Sequence, residues 1–182
     1  MEILDIVDER NELTGKTASR EEIHNNGLWH RKATCWIMNE KGEILLQKIA
    51  KQKKNNAGKW TRIGGHIKAG ETPLDGVIRE VREEIGIELK KENIRLLYIR
   101  AFEKPYKETG LHRYWSYNYF ALVNYKIEEY VLQKEEVSEV KYMKIEEMEK
   151  IVETNNQDYA FVKWENINDV IAELKRQRAK IK

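Results

Sequence analysis

The sequence has little of several features that would mark a membrane, secreted or nucleic-acid-binding protein. Its 182 residues contain one cysteine, Cys35, which cannot form a disulfide within the chain, so we expect a reducing, cytoplasmic setting. No apolar run approaches the ~20 residues that a membrane span requires, and the acidic segment MEILDIVDERNELTG does not resemble a secretory signal. The net charge of +2 is nearly balanced and gives no overall attraction for nucleic acid. We therefore expect neither a membrane nor a nucleic-acid partner.

A single domain is predicted for residues 1–182. This length can bury one hydrophobic core, and the sequence contains no repeat, low-complexity tract or linker rich in Pro, Gly or Ser. Cys35 lies within the apolar run 33–38 and is interpreted as a core residue rather than a nucleophile.

Strands mixed with a few helices predict an α/β fold with a mixed sheet covered on both faces. The predicted strands are residues 3–7, 32–39, 43–49, 94–102, 113–124 and about 137–143, and residues 8–19 are interpreted as turn-like. Short helices are predicted at 20–25, 145–152 and 167–178, which places the C-terminal helices within about 145–182.

The most informative segment is residues 65–87, GHIKAGETPLDGVIREVREEIGI. Gly65 is followed after five residues by Glu71, and after seven more by the run Arg79-Glu80-Val81-Arg82-Glu83-Glu84-Ile85-Gly86-Ile87. Average residue frequencies make a chance match to this pattern roughly one in 10⁹ per starting position. Thr72 as N-cap, Pro73 at the first helical position and Gly86 as the stop predict a helix between them.

Glu80, Glu83 and Glu84 share one edge of that helix because successive residues are rotated by about 100°. Like charges at these spacings repel one another, and a divalent cation such as Mg²⁺ or Mn²⁺ would remove the repulsion. The alternative is a solvated face with an Arg79–Glu83 ion pair. The complete spacing pattern favours the metal interpretation.

The pattern resembles the signature of the Nudix hydrolases, Gly-x5-Glu-x7-Arg-Glu-apolar-x-Glu-Glu-x-Gly-apolar, at every specified position. The resemblance implies the family's α/β/α sandwich and metal-assisted hydrolysis of a diphosphate linked to another moiety. It implies that Glu80, Glu83 and Glu84 hold Mg²⁺ or Mn²⁺ and that Gly64 adds a backbone carbonyl. By the same resemblance Arg79 orients the glutamates and Glu71 supports the loop–helix junction, while Gly65 and Gly86 complete the frame.

The general base has more than one candidate. Glu80 is the first, since a carboxylate at the metal can take the proton of an attacking water. Some family members take the base from a later loop, where this chain offers Glu135, Glu136 and Glu139. Those three acids are equally interpretable as an ordinary solvated turn.

Cationic and aromatic residues near the pattern are candidates for substrate binding. Arg62 and Lys68 can neutralise a diphosphate. Trp29 and Trp115 can stack on a base or line an apolar pocket, with a core position as the alternative.

Outside residues 65–87 the chain contains three further motifs, Gly27-Leu28-Trp29-His30-Arg31, Leu45-Leu46-Gln47-Lys48 and Gly64-Gly65-His66. With these motifs it also resembles the type I isopentenyl-diphosphate isomerases and their hydrolase relatives. The isomerase reaction needs a cysteine where this chain has Gly64, and acidic residues on a strand that here spans 112–120 without Asp or Glu. The residues therefore predict hydrolysis on an isomerase-like scaffold.

His24, His30 and His66 admit two interpretations. Histidines in similar places of the isomerases bind a metal beside the cysteine. A single histidine is, however, more often a hydrogen-bonded structural residue, and the sequence leaves a metal role open.

The leading hypothesis is a metal-dependent hydrolase acting on a small phosphorylated metabolite, with a nucleoside-diphosphate derivative as the expected substrate class. An isomerase of isoprenoid diphosphates and a non-catalytic diphosphate-binding module are the alternatives. The sequence does not determine the substrate, the number of metals or the oligomeric state, although dimers are common among related enzymes.

Overall fold

The computed structural model describes residues 2–53, 55–106 and 110–181 of the chain. Its helices are α1 (Arg20–Asn25), α2 (Pro73–Ile85), α3 (Ile145–Glu153) and α4 (Ile167–Arg178). Its strands are β1 (Ile3–Val7), β2 (Leu13–Ser19), β3 (His30–Met38), β4 (Glu43–Ile49), β5 (Trp60–Thr61), β6 (Ile63–His66), β7 (Ile94–Tyr106), β8 (Gly110–Leu122) and β9 (Val137–Lys144).

The strands form two sheets. β1 and β2 pair in an antiparallel two-stranded sheet. The other seven strands form a mixed sheet with the order β5-β4-β3-β8-β7, in which β6 pairs with β3 and β9 pairs with β4. The register of β4 and β9 is antiparallel and runs from Glu43 opposite Lys144 to Ile49 opposite Val137. The predicted α/β class with a mixed sheet is confirmed.

The chain divides into two compact units, each assembled from three segments. The first unit consists of Met1–Cys35, Gly64–Val81 and Leu89–Phe120. The second consists of Trp36–Ile63, Arg82–Glu88 and Ala121–Lys182. The single domain over 1–182 stays a prediction.

The first unit has its own core, in which Leu4, Ile23, Ala33, Val77 and Val81 are fully buried. Burying each large aliphatic side chain contributes about 1.5–3 kcal/mol. Cys35 belongs to this unit and is also fully buried, and burial raises the pKa of its thiol. Its predicted core position is confirmed.

The second unit buries one face of its C-terminal helix. α4 places apolar residues at helical spacing, and they are almost completely buried together with Trp36 and Phe161 of the same unit. The predicted bounds of this helix, 167–178, are confirmed. The buried positions of α4 are Ile167, Val170, Ile171, Leu174 and Gln177.

Residues 13–19 are a strand and not the predicted turn. Their sequence, LTGKTAS, lacks the apolar alternation of a half-buried strand, and most of it is exposed. Pairing with β1, with Leu4 opposite Ala18 and Ile3 opposite Ser19, supplies the hydrogen bonds that hold it extended. Strands β5 and β6 were likewise not predicted, and β7 continues past 102 to Tyr106.

Among the described residues, no helix has both the length and the apolar character needed to cross a membrane.

Candidate active site

Helix α2 begins and ends where the sequence predicts. The backbone N–H of Asp75 donates to the Thr72 hydroxyl at 3.1 Å, and that hydroxyl donates to the Asp75 carboxylate at 2.7 Å. At the other end Gly86 adopts a φ of 75°, which glycine tolerates, and its N–H donates to the Arg82 carbonyl at 3.0 Å. The helix is thus fixed at both ends by its own sequence, and Val77, Val81 and Ile85 are its fully buried residues.

Arg79 connects three parts of the 65–87 segment within the first unit. Its Nε and Nη2 donate to the two carboxylate oxygens of Glu71 at 2.6 and 2.9 Å. Its Nη1 donates to Glu80 Oε1 at 2.8 Å, and Nη2 also donates to the His66 carbonyl at 2.9 Å. This fork geometry fixes the plane of the guanidinium and, through it, the position of Glu80.

The positive charge of Arg79 and the negative charges of Glu71 and Glu80 stabilise one another. Burial alone would lower the pKa of Arg79, but Glu71 and Glu80 raise it above its ordinary value. Burial alone would raise the pKa of Glu71, but hydrogen bonds from Arg79 and from the Lys68 backbone hold it below its ordinary value. The Lys68 N–H donates to Glu71 Oε2 at 2.9 Å, so Glu71 joins the loop at Lys68 to the helix.

Gly65 leaves the space in which the Glu80 carboxylate lies. A Cβ at position 65 would stand 2.6 Å from Glu80 Oε2 and 2.7 Å from its carboxyl carbon. Real side chains do not make contacts this short, so any residue other than glycine would displace Glu80.

Gly64 packs just as closely against strand β3. Its φ is 136°, and a Cβ there would lie 2.6 Å from Thr34 Cα and would overlap the Ala33 carbonyl. A cysteine at position 64, which the isomerase reaction requires, therefore does not fit this backbone.

In the second unit, Gln47 contacts Glu84. Gln47 Nε2 donates to Glu84 Oε2 at 2.9 Å, and the two residues are only 4% and 8% exposed. Gln47 is not among the site residues predicted from the sequence, because it lies 37 positions from Glu84. No local pattern indicates that pairing.

The solvated-face interpretation of the helical acids is wrong for two of the three. Glu84 is buried, and the Glu80 side chain is 12% exposed. Only Glu83 is exposed to solvent. Helix α2 continues without a break through all three acids.

The later acids lie near lysines of the second unit. Lys53 Nζ lies 2.6 Å from Glu136, and Lys48 Nζ lies 2.8 Å from Glu139 Oε1. The Glu135 carbonyl accepts a hydrogen bond from Gln52 Nε2 at 3.2 Å. A role for any of these acids as general base stays a prediction.

The substrate candidates fall in different places. Arg62 belongs to the second unit, where its guanidinium carbon lies 4.0 Å from the Trp164 ring centroid and 5.6 Å from that of Trp36. Trp29 and Trp115 meet in the first unit with ring centroids 6.1 Å apart, and both are half-buried. Lys68 lies in the first unit, where its backbone N–H donates to Glu71. Their roles in substrate binding stay predictions.

The first unit also brings together the three histidines and adds His112, which no motif had indicated. Burial, followed by the charge of Lys32, lowers the pKa of His24 to about 4, of His30 to about 2 and of His112 to about 3. The pKa of His66 is lowered by the same causes. All four imidazoles are therefore neutral at pH 7.

Comparison with known proteins supports the family resemblance of residues 65–87. The NUDIX domain family model matches residues 28–165. An uncharacterized Nudix hydrolase of Listeria monocytogenes is 35% identical over 150 residues, which cover 82% of this chain and 83% of that protein. Nudix hydrolase 3 of Arabidopsis thaliana is 31% identical over 170 residues, 90% of this chain, but the match spans only 22% of that longer protein.

The isomerase resemblance is confirmed as a partial one. Isopentenyl-diphosphate Delta-isomerase of Corynebacterium diphtheriae is 37% identical over 93 residues, half of this chain and half of that protein. Among solved structures, DR0079 of Deinococcus radiodurans superposes with a TM-score of 0.69 at 18% identity, covering 95% of this chain and 99% of that one. This likeness shows the fold.

The family match over residues 28–165, the Listeria relative and the intact signature on α2 agree. The chain belongs to the Nudix superfamily and is a Nudix hydrolase, a class whose general activity is pyrophosphohydrolysis.

Proposed function

We propose that this chain is a metal-dependent pyrophosphohydrolase that cleaves a diphosphate linkage in a small phosphorylated metabolite. A nucleoside diphosphate linked to another moiety is the leading substrate class. The observation that carries the proposal is the setting of Glu80, whose carboxylate is held by Arg79 and lies against the backbone of Gly65. A carboxylate fixed in this way is suited to work at a metal centre.

The residues present fit a hard divalent cation. Glu80, Glu83 and Glu84 offer only carboxylate oxygens, which Mg²⁺ and Mn²⁺ prefer, and the Gly64 carbonyl adds another hard donor. Glu80 and Glu84 are largely buried, and a bound cation offsets the cost of keeping a carboxylate away from water. A bound cation would polarise the diphosphate and lower the pKa of the attacking water.

The chain's own side chains position and neutralise the reacting groups. Arg79 orients Glu80, and Gln47 orients Glu84. Glu80 is the first candidate to accept the proton of the water. The water oxygen forms a bond to phosphorus, the bridging anhydride P–O bond breaks, and its electron pair leaves with the departing phosphate. Lys68 and Arg62 are proposed to neutralise the diphosphate.

A hydrolysis screen tests the proposal. Purified protein is incubated with Mg²⁺ or Mn²⁺ and nucleoside triphosphates, nucleotide sugars, dinucleotides, coenzyme A and isoprenoid diphosphates. We expect metal-dependent release of a monophosphate, with one ¹⁸O incorporated from labelled water, and near-complete loss in Glu80→Gln. Full turnover in folded Glu80→Gln would contradict the assigned site.

The same screen separates the alternatives. Tight ligand binding without hydrolysis across the panel would support a diphosphate-binding module. Interconversion of the two isopentenyl diphosphate isomers would support an isomerase, which the close packing at Gly64 argues against.

A cytoplasmic location and a homodimer are part of the proposal, and the dimer is tested separately. Light scattering coupled to size-exclusion chromatography measures the mass in solution, and a mass near the 21.7 kDa of one chain would exclude the dimer.

A further inference from the structure

Strand β7 leaves one edge of the large sheet open. In the part of the chain that the structure describes, β8 pairs with β7, and no strand pairs with the other edge of β7. Such an edge presents backbone N–H and C=O groups that can pair with a strand from another chain. β7 belongs entirely to the first unit, so this edge is complete within that unit.

Apolar side chains are exposed along β7. Leu96 is 48% exposed and Ile99 is 42% exposed, and Ala101 is exposed as well. The strand runs without interruption from Ile94 to Tyr106, more than twice the usual length of about five or six residues. A long edge strand with exposed apolar side chains is a site at which chains pair.

Both ends of the segment available for pairing are set by the sequence. β7 begins at Ile94, directly after a short 3₁₀ helix at Lys91–Asn93. At the other end Pro105 has no N–H and cannot donate to a ladder of hydrogen bonds. The available segment is therefore 94–104, and its midpoint is Ile99.

A second copy of the same strand is complementary to this segment. Two copies related by a twofold axis pair antiparallel, and directly opposite residues must lie on the same face of the sheet. Pairing of the whole segment then places Ile99 against Ile99 and Leu96 against Phe102 of the second copy. It also places Arg95 against Glu103 at both ends, and both of these side chains are exposed. Opposite charges and apolar side chains facing one another across an antiparallel pair are favourable.

The neighbouring registers lack this complementarity. Because opposite residues must share a face, the nearest shifts move the partner of Arg95 by two positions, from Glu103 to Ala101 or to Pro105. The shift to Pro105 also places Arg100 against Arg100, and like charges directly opposite one another are destabilising. The register centred on Ile99 is therefore favoured by both length and charge.

We propose that two copies of this chain associate through antiparallel pairing of their β7 strands, centred on Ile99. Arg95 of each copy then meets Glu103 of the other. Glu103 lies 3.4 Å from Arg113 of its own chain, and half of its side chain is still exposed to a second guanidinium. One strand pair buries a small surface, so we expect association in the micromolar range. The inference rests on the homodimer of the proposed function and is independent of the hydrolysis.

Charge reversal tests the pairing in the full chain. Analytical ultracentrifugation of the wild-type protein at micromolar concentrations should approach twice the 21.7 kDa of one chain. Arg95→Glu and Glu103→Arg should each raise the dissociation constant by about tenfold or more, because each places like charges opposite one another at both ends. An equal mixture of the two variants should associate as the wild-type protein does, since every opposing pair then has opposite charges. Lys16→Glu, on the exposed strand β2, is the matched control and should associate as the wild-type protein does.

A disulfide at the twofold axis locates the contact. Directly opposite residues of an antiparallel pair have Cα atoms about 4.5–5.5 Å apart, which a disulfide can span. Ile99→Cys should therefore form a covalent dimer on mild oxidation. Leu96→Cys is the control, because it faces Phe102 of the second copy and should not cross-link. Cys35 is fully buried and does not compete, and circular dichroism checks that each variant is folded.

The outcomes separate the surface from the dimer itself. A wild-type mass of one chain throughout the concentration range would overturn both. Unchanged association in folded Arg95→Glu and Glu103→Arg, or equal cross-linking of Ile99→Cys and Leu96→Cys, would keep the dimer and exclude β7 as its surface. Failure of the protein to hydrolyse any substrate in the screen would leave these results unaffected.

Discussion

The amide of Gln47 and the carboxylate of Glu84 form a buried pair, with Gln47 Nε2 donating to Glu84 Oε2 at 2.9 Å. A buried carboxylate is costly unless hydrogen bonds or a cation compensate it. The amide donates to the carboxylate without neutralising it. The hydrogen bond therefore fixes the orientation of Glu84.

Replacing Gln47 by leucine should weaken both stability and metal use. The substitution keeps the volume but removes a donor to a buried carboxylate, which we expect to cost about 1–3 kcal/mol of unfolding free energy. Urea denaturation measures this loss. The Mg²⁺ concentration for half-maximal hydrolysis should also rise. If Gln47→Leu unfolds at the same urea concentration as the wild-type protein and reaches half-maximal hydrolysis at the same Mg²⁺ concentration, Gln47 does not position Glu84.

Replacing Arg79 by lysine should impair turnover more than substrate binding. Lysine keeps the charge but cannot hold Glu71, Glu80 and the His66 carbonyl at once. Loss of such an orienting partner typically costs roughly 10–100-fold in activity. Steady-state kinetics should show a lower kcat with a similar KM.

Arg82→Lys is the matched control for that substitution. Arg82 lies three residues along the same helix, and its exposed side chain lies 3.8 Å from Glu88. We expect wild-type kinetics from it. An equal loss of kcat in Arg79→Lys and Arg82→Lys would mean that the guanidinium of Arg79 does not act by orienting Glu80.

A methyl group at Gly65 should displace Glu80. The added Cβ would stand 2.6 Å from Glu80 Oε2, so the carboxylate must move. Displacement of a catalytic group by about 1 Å can cost on the order of 100-fold in rate. Gly15→Ala is the control, because a Cβ there meets nothing within 4 Å although its φ of 74° is strained. Gly15→Ala should lower thermal stability and leave kcat unchanged. Wild-type activity in Gly65→Ala would contradict the displacement of Glu80.

Stability should fall in acid partly through Glu71. Its pKa in the folded protein lies below the ordinary 4.5, so below about pH 4.5 the unfolded chain takes up a proton that the folded chain does not. The stabilisation by Glu71 is thus present above that pH and is lost as the pH falls through the folded pKa. Urea unfolding across this range should be less pH-dependent in Glu71→Gln. Parallel curves for the two proteins would contradict this linkage.

The sequence predicts best those helices and strands whose ends are set by residues close to them in the chain. Helix α2 carries its cap at Thr72, its buried residues at helical spacing and its stop at Gly86, and its limits were predicted correctly. Strand β2 carries no such signal, since it is exposed and held by pairing with β1. It was therefore missed.

Contacts between distant segments account for what the sequence did not show at the site. The signature indicated Arg79 and the helical acids because they are close in sequence. Gln47 reaches Glu84 from β4, and His112 joins the other histidines from β8, only once the strands have paired. The strand order that creates these contacts is not encoded in any single segment.

The most direct test of the central claim compares Glu83→Gln with Glu88→Gln in Mg²⁺-dependent hydrolysis of the best substrate from the screen. Both glutamates are exposed, so neither change should disturb folding. The account predicts near-complete loss of turnover in Glu83→Gln and wild-type turnover in Glu88→Gln. Equal turnover in the two variants would contradict a metal centre on the carboxylates of α2.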